Sequence, residues 1–334
     1  MRAVVTGAAG FVGSHLVRHL LGEGHAVVAL DDESTGDWRN LGSDVDGGLS
    51  RVHGSVLDRD TVEDAVAGCD VVFHLAAAVG AFVIRDRTLD SLLTNIHGTQ
   101  HVMEAAQRNN ARVLFASTSE IYGKNDKVGL TEEDDRVVGS PLKSRWSYSE
   151  AKALDESLIQ AYVAERGAWA AIVRLFNTVG PGQSGRYGMV LPRFVSKALR
   201  GKPLTVFGTG EQIRCFCHVA DVVPAMVALL GTQEARGRAV NLGSTEQVSI
   251  TELAHRVIAL TGSHSGIEHS PYEAVYGSGY EDMLRRVPDC ALARELVGFR
   301  PEHDLDSIIR SIVDEHTRAA RDTPVTAARS ARSG

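Results

Sequence analysis

Apolar positions along the first half of the chain follow two periods in turn. Short Val/Ala/Leu-rich runs at Ala3–Thr6, Ala26–Leu30, Val71–Leu75 and Arg112–Ser117 read as buried strands. Between them, stretches with a 3.6-residue apolar period predict helices at Gly13–Leu21, Thr61–Ala67 and Leu92–Arg108. A further helix at Ser149–Arg166 leads into a fifth strand, Ala170–Arg174. Strands alternating with helices predict an α/β fold built on a doubly wound parallel sheet. After Asn177 the chain becomes punctuated by Gly and Pro, with helical stretches at Leu191–Leu199, Val219–Leu230 and Ile250–Leu260. This predicts a smaller C-terminal α/β substrate-binding lobe, residues 178–316, part of which returns to the sheet of residues 1–177. Residues 317–334, rich in Arg, Ala, Ser and Thr, read as a solvated, disordered tail.

Composition narrows the function classes. The formal charge of −7 and the absence of a dense Lys/Arg stripe give no footprint for nucleic acid. The longest apolar stretch, Val222 to Leu230, falls far short of the roughly 20 residues a membrane helix needs, so no membrane segment is expected. The four cysteines lack framework spacing and point to a reducing, cytoplasmic setting. Cys215-Phe-Cys217-His218 has no second ligand cluster, and alternation along one strand explains it better than a metal does.

The first strand runs into Gly7-Ala-Ala-Gly10-Phe-Val-Gly13 and then a helix, and Asp31 follows the second strand. Glycines there let backbone approach a pyrophosphate at the helix N-terminus, while the acid accepts from ribose hydroxyls, as in a Rossmann-like fold. Asp31 would repel a 2′-phosphate, which favours NAD over NADP.

Tyr148-Ser-Glu-Ala-Lys152 places a phenol and an ammonium on one helical face. The lysine's charge is expected to lower the phenol's pKa, so that the tyrosinate takes a proton from a sugar hydroxyl as hydride leaves. Ser117-Thr-Ser-Glu-Ile-Tyr-Gly123 follows the fourth strand.

With these motifs in hand, the chain resembles an extended short-chain dehydrogenase/reductase of the nucleotide-sugar epimerase/dehydratase/decarboxylase group. The likeness runs from TGAAGFVGSH through HLAA, TNIHGT, STSEIYG, YSEAK and RLFNTVGP to LTVFGTGEQIRCFCHVADV. Ser119-Glu120 is similar to UDP-glucuronate decarboxylases, as are the segments from Val138 to Tyr148 and from Val275 to Asp289, which carries Arg286. The resemblance implies that Gly7, Gly10, Phe11, Val12 and Gly13 with Asp31 and Asp32 hold the adenosine side of NAD. It further implies that Leu75, Ala76, Ala77 and Asn95, with Tyr148 and Lys152, hold the nicotinamide side. For the nucleotide sugar it implies Asn177, Val190, Arg214 and Arg286.

The implied catalytic set is Thr118, Ser119, Glu120, Tyr148, Lys152 and Arg286. Oxidation at C4 puts a ketone β to the C5 carboxylate, so carbon dioxide can leave as an enolate forms. Tyr148 would remove the 4-hydroxyl proton and Thr118 would hydrogen-bond that oxygen. Lys152 would hold the phenolate and the nicotinamide ribose, Ser119 and Glu120 would position the sugar or manage protons at C5, and Arg286 would orient the carboxylate or assist reprotonation. Either UDP-xylose or a UDP-4-keto-pentose results. A 4-epimerase or 4,6-dehydratase shares the first step, and a non-catalytic NAD sensor shares the fold. The likeness also implies a homodimer through a four-helix bundle of the Leu92–Arg108 and Ser149–Arg166 helices.

Blander roles compete at several positions. The competing readings are solvated or salt-bridging charge for the Arg285–Arg286 pair, a strand-end cap or salt bridge for Glu120, a structural ion pair for Arg214 and an Asx turn for Asn177, with the functional role preferred for Arg286, Glu120 and Asn177. His74 is expected to pack structurally near the cofactor. One departure stands out: where the family has Gly-Asp after a short strand, this chain has Gly54-Ser55, and Asp58 lies too far along to be taken as its substitute.

Overall fold

The computed structural model of the protein describes residues 1–42, 47–78, 80–276 and 281–322. The first half runs β1 (Arg2–Thr6), α1 (Phe11–Gly22), β2 (Ala26–Asp31), β3 (Leu49–His53), α2 (Arg59–Val66) and β4 (Val71–His74). It continues with α3 (Ala81–Asp86), α4 (Thr88–Asn109), β5 (Arg112–Thr118), β6 (Val128–Leu130), α5 (Ser147–Arg166) and β7 (Ala170–Leu175). The second half supplies β8 (Thr178–Val179), α6 (Val190–Leu199), β9 (Leu204–Phe207), β10 (Ile213–Cys215), β11 (Cys217–His218), α7 (Val219–Gly231) and β12 (Ala239–Leu242). It ends with β13 (Gln247–Ser249), α8 (Ile250–Thr261), β14 (Ile267–Ser270), α9 (Tyr272–Tyr276), β15 (Arg285–Pro288), α10 (Ala291–Val297) and α11 (Leu305–Asp322).

Seven parallel strands form the central sheet in the order β12-β7-β5-β4-β1-β2-β3. The sheet is buried on both faces, which is why its strands read as unbroken apolar runs. One face packs α1 and α7 against Val5, Phe73 and Val173, and the other packs α2, α4 and α5 against Val4, Val72 and Phe115. The strand order reverses between β1 and β4, the place where open α/β sheets form their ligand crevice at the carboxyl ends of the strands.

Chain beyond residue 177 serves both lobes. It returns as β12 at the sheet edge and supplies α7 and α10 to the core under the sheet. The separate third core gathers α6, α8 and α11 around Phe194, Leu253 and Ile308. Residues 317–322 belong to α11, so the stretch read as tail begins inside a helix whose apolar side closes the third core; residues 323–334 lie outside those described.

A second difference concerns the cysteines. Cys215 ends β10, which pairs with β13 and β15, whereas Cys217 opens β11, which pairs with β8, so a break at Phe216 puts them in two sheets. All four cysteines are buried and free. Among the described residues no cluster of metal-ligating side chains occurs, and no helix is long and apolar enough to cross a membrane.

Candidate active site

The carboxyl ends of the parallel strands and the second lobe enclose a cleft of about 1040 Å³. Its nucleotide end is made by the turn from β1 into α1. Gly7 adopts φ +71°, and a Cβ there would lie 2.8 Å from the Ala76 backbone nitrogen. A Cβ on Gly13 would overlap the Gly7 carbonyl oxygen. Only hydrogen fits at either place, and so the loop closes tightly on the next strand end. Helix α1 starts at Phe11 with no side-chain cap and no acid in its first turn, which leaves its N–H groups and dipole directed at the cleft. Phe11, Val12, Leu75, Ala76 and Ala77 line the same wall.

Asp31, at the end of β2, accepts from the Ala9 N–H at 2.9 Å and the Glu33 N–H at 2.7 Å. Each oxygen keeps a further lone pair toward the cleft, and burial pushes the carboxyl up against the opposing pull of those amides. Asp32 beside it is exposed and also lines the cleft. Gly54 and Ser55 border this end, while Asp58 is occupied as the N-cap of α2, accepting from the amides of Asp60 and Thr61. The sequence is right to withhold a ligand role from Asp58. The glycine turn, the uncapped helix start and the acceptor at β2 fit a dinucleotide.

Deeper in the cleft, Thr118 ends β5 and accepts from the Glu120 N–H at 3.1 Å. Tyr148, in the first turn of α5, lines the cleft beside Thr118. Lys152 lies one turn deeper, behind the wall, where Nζ donates to the Ala116 carbonyl at 2.9 Å and sits 4.2 Å from the centroid of the Phe115 ring. Contrary to expectation, the phenol is pushed up, because burial and the carboxylates of Glu120 and Asp155 outweigh the help of Thr118 and Arg286. Burial lowers the lysine itself, against the pull of Asp155 and Glu156.

Asn95 is likewise behind the wall, fully buried, with neither amide atom hydrogen-bonded. His74 is structural, as expected: it bonds Thr6 Oγ1 at 2.8 Å and Thr99 Oγ1 at 3.2 Å, and burial holds it neutral, near a pKa of about 3.

The second lobe delivers arginines to the sugar end. Strands β10 and β15 run parallel with Arg214 and Arg286 as direct partners, and both side chains line the cleft. Two like charges so placed need acids, and two acids answer them. Glu120 takes Arg286 Nη1 on Oε1 at 2.6 Å and Arg145 Nη1 on Oε2 at 2.6 Å. Asp282 takes Arg214 Nη2 at 3.1 Å and the Tyr272 hydroxyl at 2.8 Å. Despite burial, the paired guanidiniums hold Glu120 well below the usual carboxylate range. Glu120 and Arg286 thus form the salt bridge, and Arg214 the ion pair, that the sequence offers as alternatives to ligand roles, though Arg286 is buried and not solvated.

Asn177 is no Asx turn either. It sits at φ +34°, gives Nδ2 to the Cys215 carbonyl at 2.7 Å and accepts from Arg286 Nη2 at 2.6 Å. Ser119 and Val190 complete the lining. Four residues of the segment from Val275 to Asp289, numbers 277–280, lie outside those described.

Sequence reading missed Arg145 and Asp282, which are as close to the arginine–carboxylate cluster as any motif residue. Arg145 stands three positions before Tyr148, at the foot of the helix that aims the tyrosine, a place where its side chain had to share the tyrosine's cleft.

Residues 3–243 match the NAD dependent epimerase/dehydratase family. The chain is 39% identical over 301 residues to a UDP-N-acetyl-alpha-D-glucosaminuronate decarboxylase of Bacillus cytotoxicus, covering 90% of this chain and 92% of that one. It is 35% identical to UDP-glucuronic acid decarboxylase 1 of Xenopus tropicalis, covering 90% of this chain and 68% of the relative. Among solved structures it superposes on UDP-glucuronic acid 4-epimerase of Bacillus cereus, in complex with UDP-glucuronic acid and NAD. That match has a TM-score of 0.84 at 26% identity, over 96% of this chain and all of the other. UDP-glucose 4-epimerase of Thermotoga maritima gives a TM-score of 0.86 at 27% identity with the same coverage. The doubly wound sheet, its switch-point cleft and a match across most of the chain agree, and the protein belongs to the NAD dependent epimerase/dehydratase family.

Proposed function

We propose that the protein is an NAD-dependent decarboxylase of a UDP-hexuronate, with UDP-glucuronate as substrate. The observation that carries this reading is the cluster of Glu120, Arg286 and Arg145 beside Tyr148 in one cleft. A uronic acid brings a carboxylate, and guanidinium donors in fixed geometry suit a carboxylate. The relatives of the previous section add weight, since those with the highest identities carry decarboxylase names.

When bound, NAD supplies the hydride acceptor and a cationic ring beside the phenol. The chain's own residues do the rest. Tyr148 removes the C4 hydroxyl proton and Thr118 holds that oxygen through the developing charge. The resulting C4 ketone lies β to the carboxylate on C5, so breaking the C5–C6 bond leaves its electron pair in an enolate and releases carbon dioxide. Tyr148 and Thr118 hold the enolate oxygen, while Arg286 orients the departing carboxylate and Ser119 positions the sugar. Uptake of a proton from water at C5, assisted by Arg286, restores the C4 ketone; hydride returned to C4 together with the Tyr148 proton would then give UDP-xylose, and release beforehand the UDP-4-keto-pentose. Asn177 would donate to the nucleotide diphosphate, Arg214 would pair with a phosphate or the ribose, and Val190 would line the nucleotide-sugar site.

Incubation with UDP-glucuronate and NAD should release carbon dioxide and yield a UDP-pentose. Unchanged mass with inverted C4 would support a 4-epimerase instead, and loss of water from UDP-glucose in a parallel incubation a 4,6-dehydratase. UDP-N-acetylglucosaminuronate belongs in the same assay, because the relative at 39% identity bears that substrate's name.

A second copy of the chain is the proposed partner. Leu89 and Leu93 on α4 and Leu154 on α5 are exposed leucines on the two helices that would pair as a four-helix bundle, and light scattering should report a dimer. Four buried thiols suit the cytoplasm.

A further inference from the structure

Asp155 has no exposure at all, and it stands on the inner side of α5 three residues beyond Lys152. Its neighbour Glu156 is fully engaged, accepting from Ser117 Oγ at 2.5 Å and from Arg174 Nη2 at 2.7 Å. Asp155 has nothing comparable. Neither of its oxygens makes a hydrogen bond of normal geometry among the described residues; the Thr99 hydroxyl, already bonded to His74 Nε2 at 3.2 Å, is the group that approaches it. One turn earlier on α4, buried Asn95 also lacks partners at both amide atoms. The α4–α5 interface therefore holds a pocket of unsatisfied polarity directly behind the Tyr148 wall.

An isolated buried carboxylate costs folding free energy, and a residue retained for stability would be paired as Glu156 is. Its charge does have work to do on the neighbours. Burial disfavours the ammonium of Lys152, and Asp155 is the strongest group opposing that; the same carboxylate makes the Tyr148 phenol harder to ionise. The other charges in range are few. On α5 Glu156 is neutralised by Arg174 from β7, His74 from β4 is neutral, and α4 presents Asn95 and Thr99.

We propose that Asp155 is a positioning residue for the oxidation step: a buried carboxyl behind the cleft whose charge, once it ionises, keeps Lys152 an ammonium and sets the pH range in which Tyr148 and Lys152 operate. The proposal rests on Tyr148 taking the C4 proton, and it is indifferent to which nucleotide sugar is used.

The test compares wild type, Asp155→Asn and Asp155→Ala. Removing one negative charge lowers the proton affinity of both neighbours. The alkaline limb of the kcat/KM profile for UDP-glucuronate with NAD, where the wild-type carboxyl is ionised, should therefore move by about one pH unit toward acid. A profile whose alkaline limb stays in place overturns the proposal. Thermal melting of the NAD-free proteins gives an independent arm. Burial raises the Asp155 carboxyl, so wild type should lose stability relative to Asp155→Ala as pH rises from the ordinary carboxylate range through about 7. An Asp155→Ala protein that melts well below wild type throughout, with a parallel pH dependence, marks a merely structural side chain and also overturns it. If no nucleotide sugar is turned over, the functional reading fails while the melting arm still decides the role of Asp155.

Discussion

Arg286 Nη1 rests 2.6 Å from Glu120 Oε1 although 166 residues separate the two in the chain. The contact crosses from the second lobe to the end of β5, so the lobes meet through charge at the point where the substrate's acid group would lie. An arginine that bonds a carboxylate and Asn177 at once is held in one orientation, which is what a group meeting a departing carboxylate needs.

Replacing Arg286 with methionine should leave NAD binding intact and lower carbon dioxide release by at least about 100-fold, because orientation and charge at the carboxylate are lost together. Parallel measurement of NAD affinity and of carbon dioxide checks this, and equal losses in both would point to collapse of the lobe contact.

Tyr148→Phe removes one oxygen from the cleft wall without changing the packing of α5. Turnover should fall by about 1,000-fold or more while the melting temperature stays within a few degrees of wild type. A variant retaining substantial turnover would assign the proton to another group.

The Glu120 ion pairs predict a pH-dependent stability difference. Its folded pKa is depressed below the unfolded carboxylate value, so its contribution is fully present above that value and is lost as pH falls through it. Glu120→Gln should therefore be less stable than wild type by about 2–4 kcal/mol near neutrality, with the gap closing below about pH 4. Denaturant unfolding at several pH values checks the sign.

Gly13→Ala would press a methyl group against the Gly7 carbonyl oxygen, and backbone there cannot give way without opening the turn. A loss of about 1–3 kcal/mol in stability and a weakening of NAD binding by at least about 10-fold are expected, readable by melting and by titration.

Much of this was legible from local pattern. The strands are buried on both faces and so announce themselves as apolar runs, and the β1–α1 turn needs hydrogen at Gly7 and Gly13, which leaves a glycine signature. Tyr148 and Lys152 were findable because helical spacing puts them on one side of α5. Their depths were not: one lines the cleft and the other lies behind it, a difference set by how far α5 sits from β5. The net direction of the phenol differed from expectation for the same reason, since a helical repeat fixes direction but says nothing of burial or of the carboxylates nearby.

By itself the sequence determined five of the seven sheet strands, the nucleotide turn and the placement of Tyr148 and Lys152 on one side of α5, because each depends on residues close together in the chain. Only the tertiary structure decided the charge arrangement of the sugar end, where Arg145, Glu120, Arg286, Arg214 and Asp282 converge from four separate segments. Coulomb energy depends on distance in space, and chain separation carries no information about it.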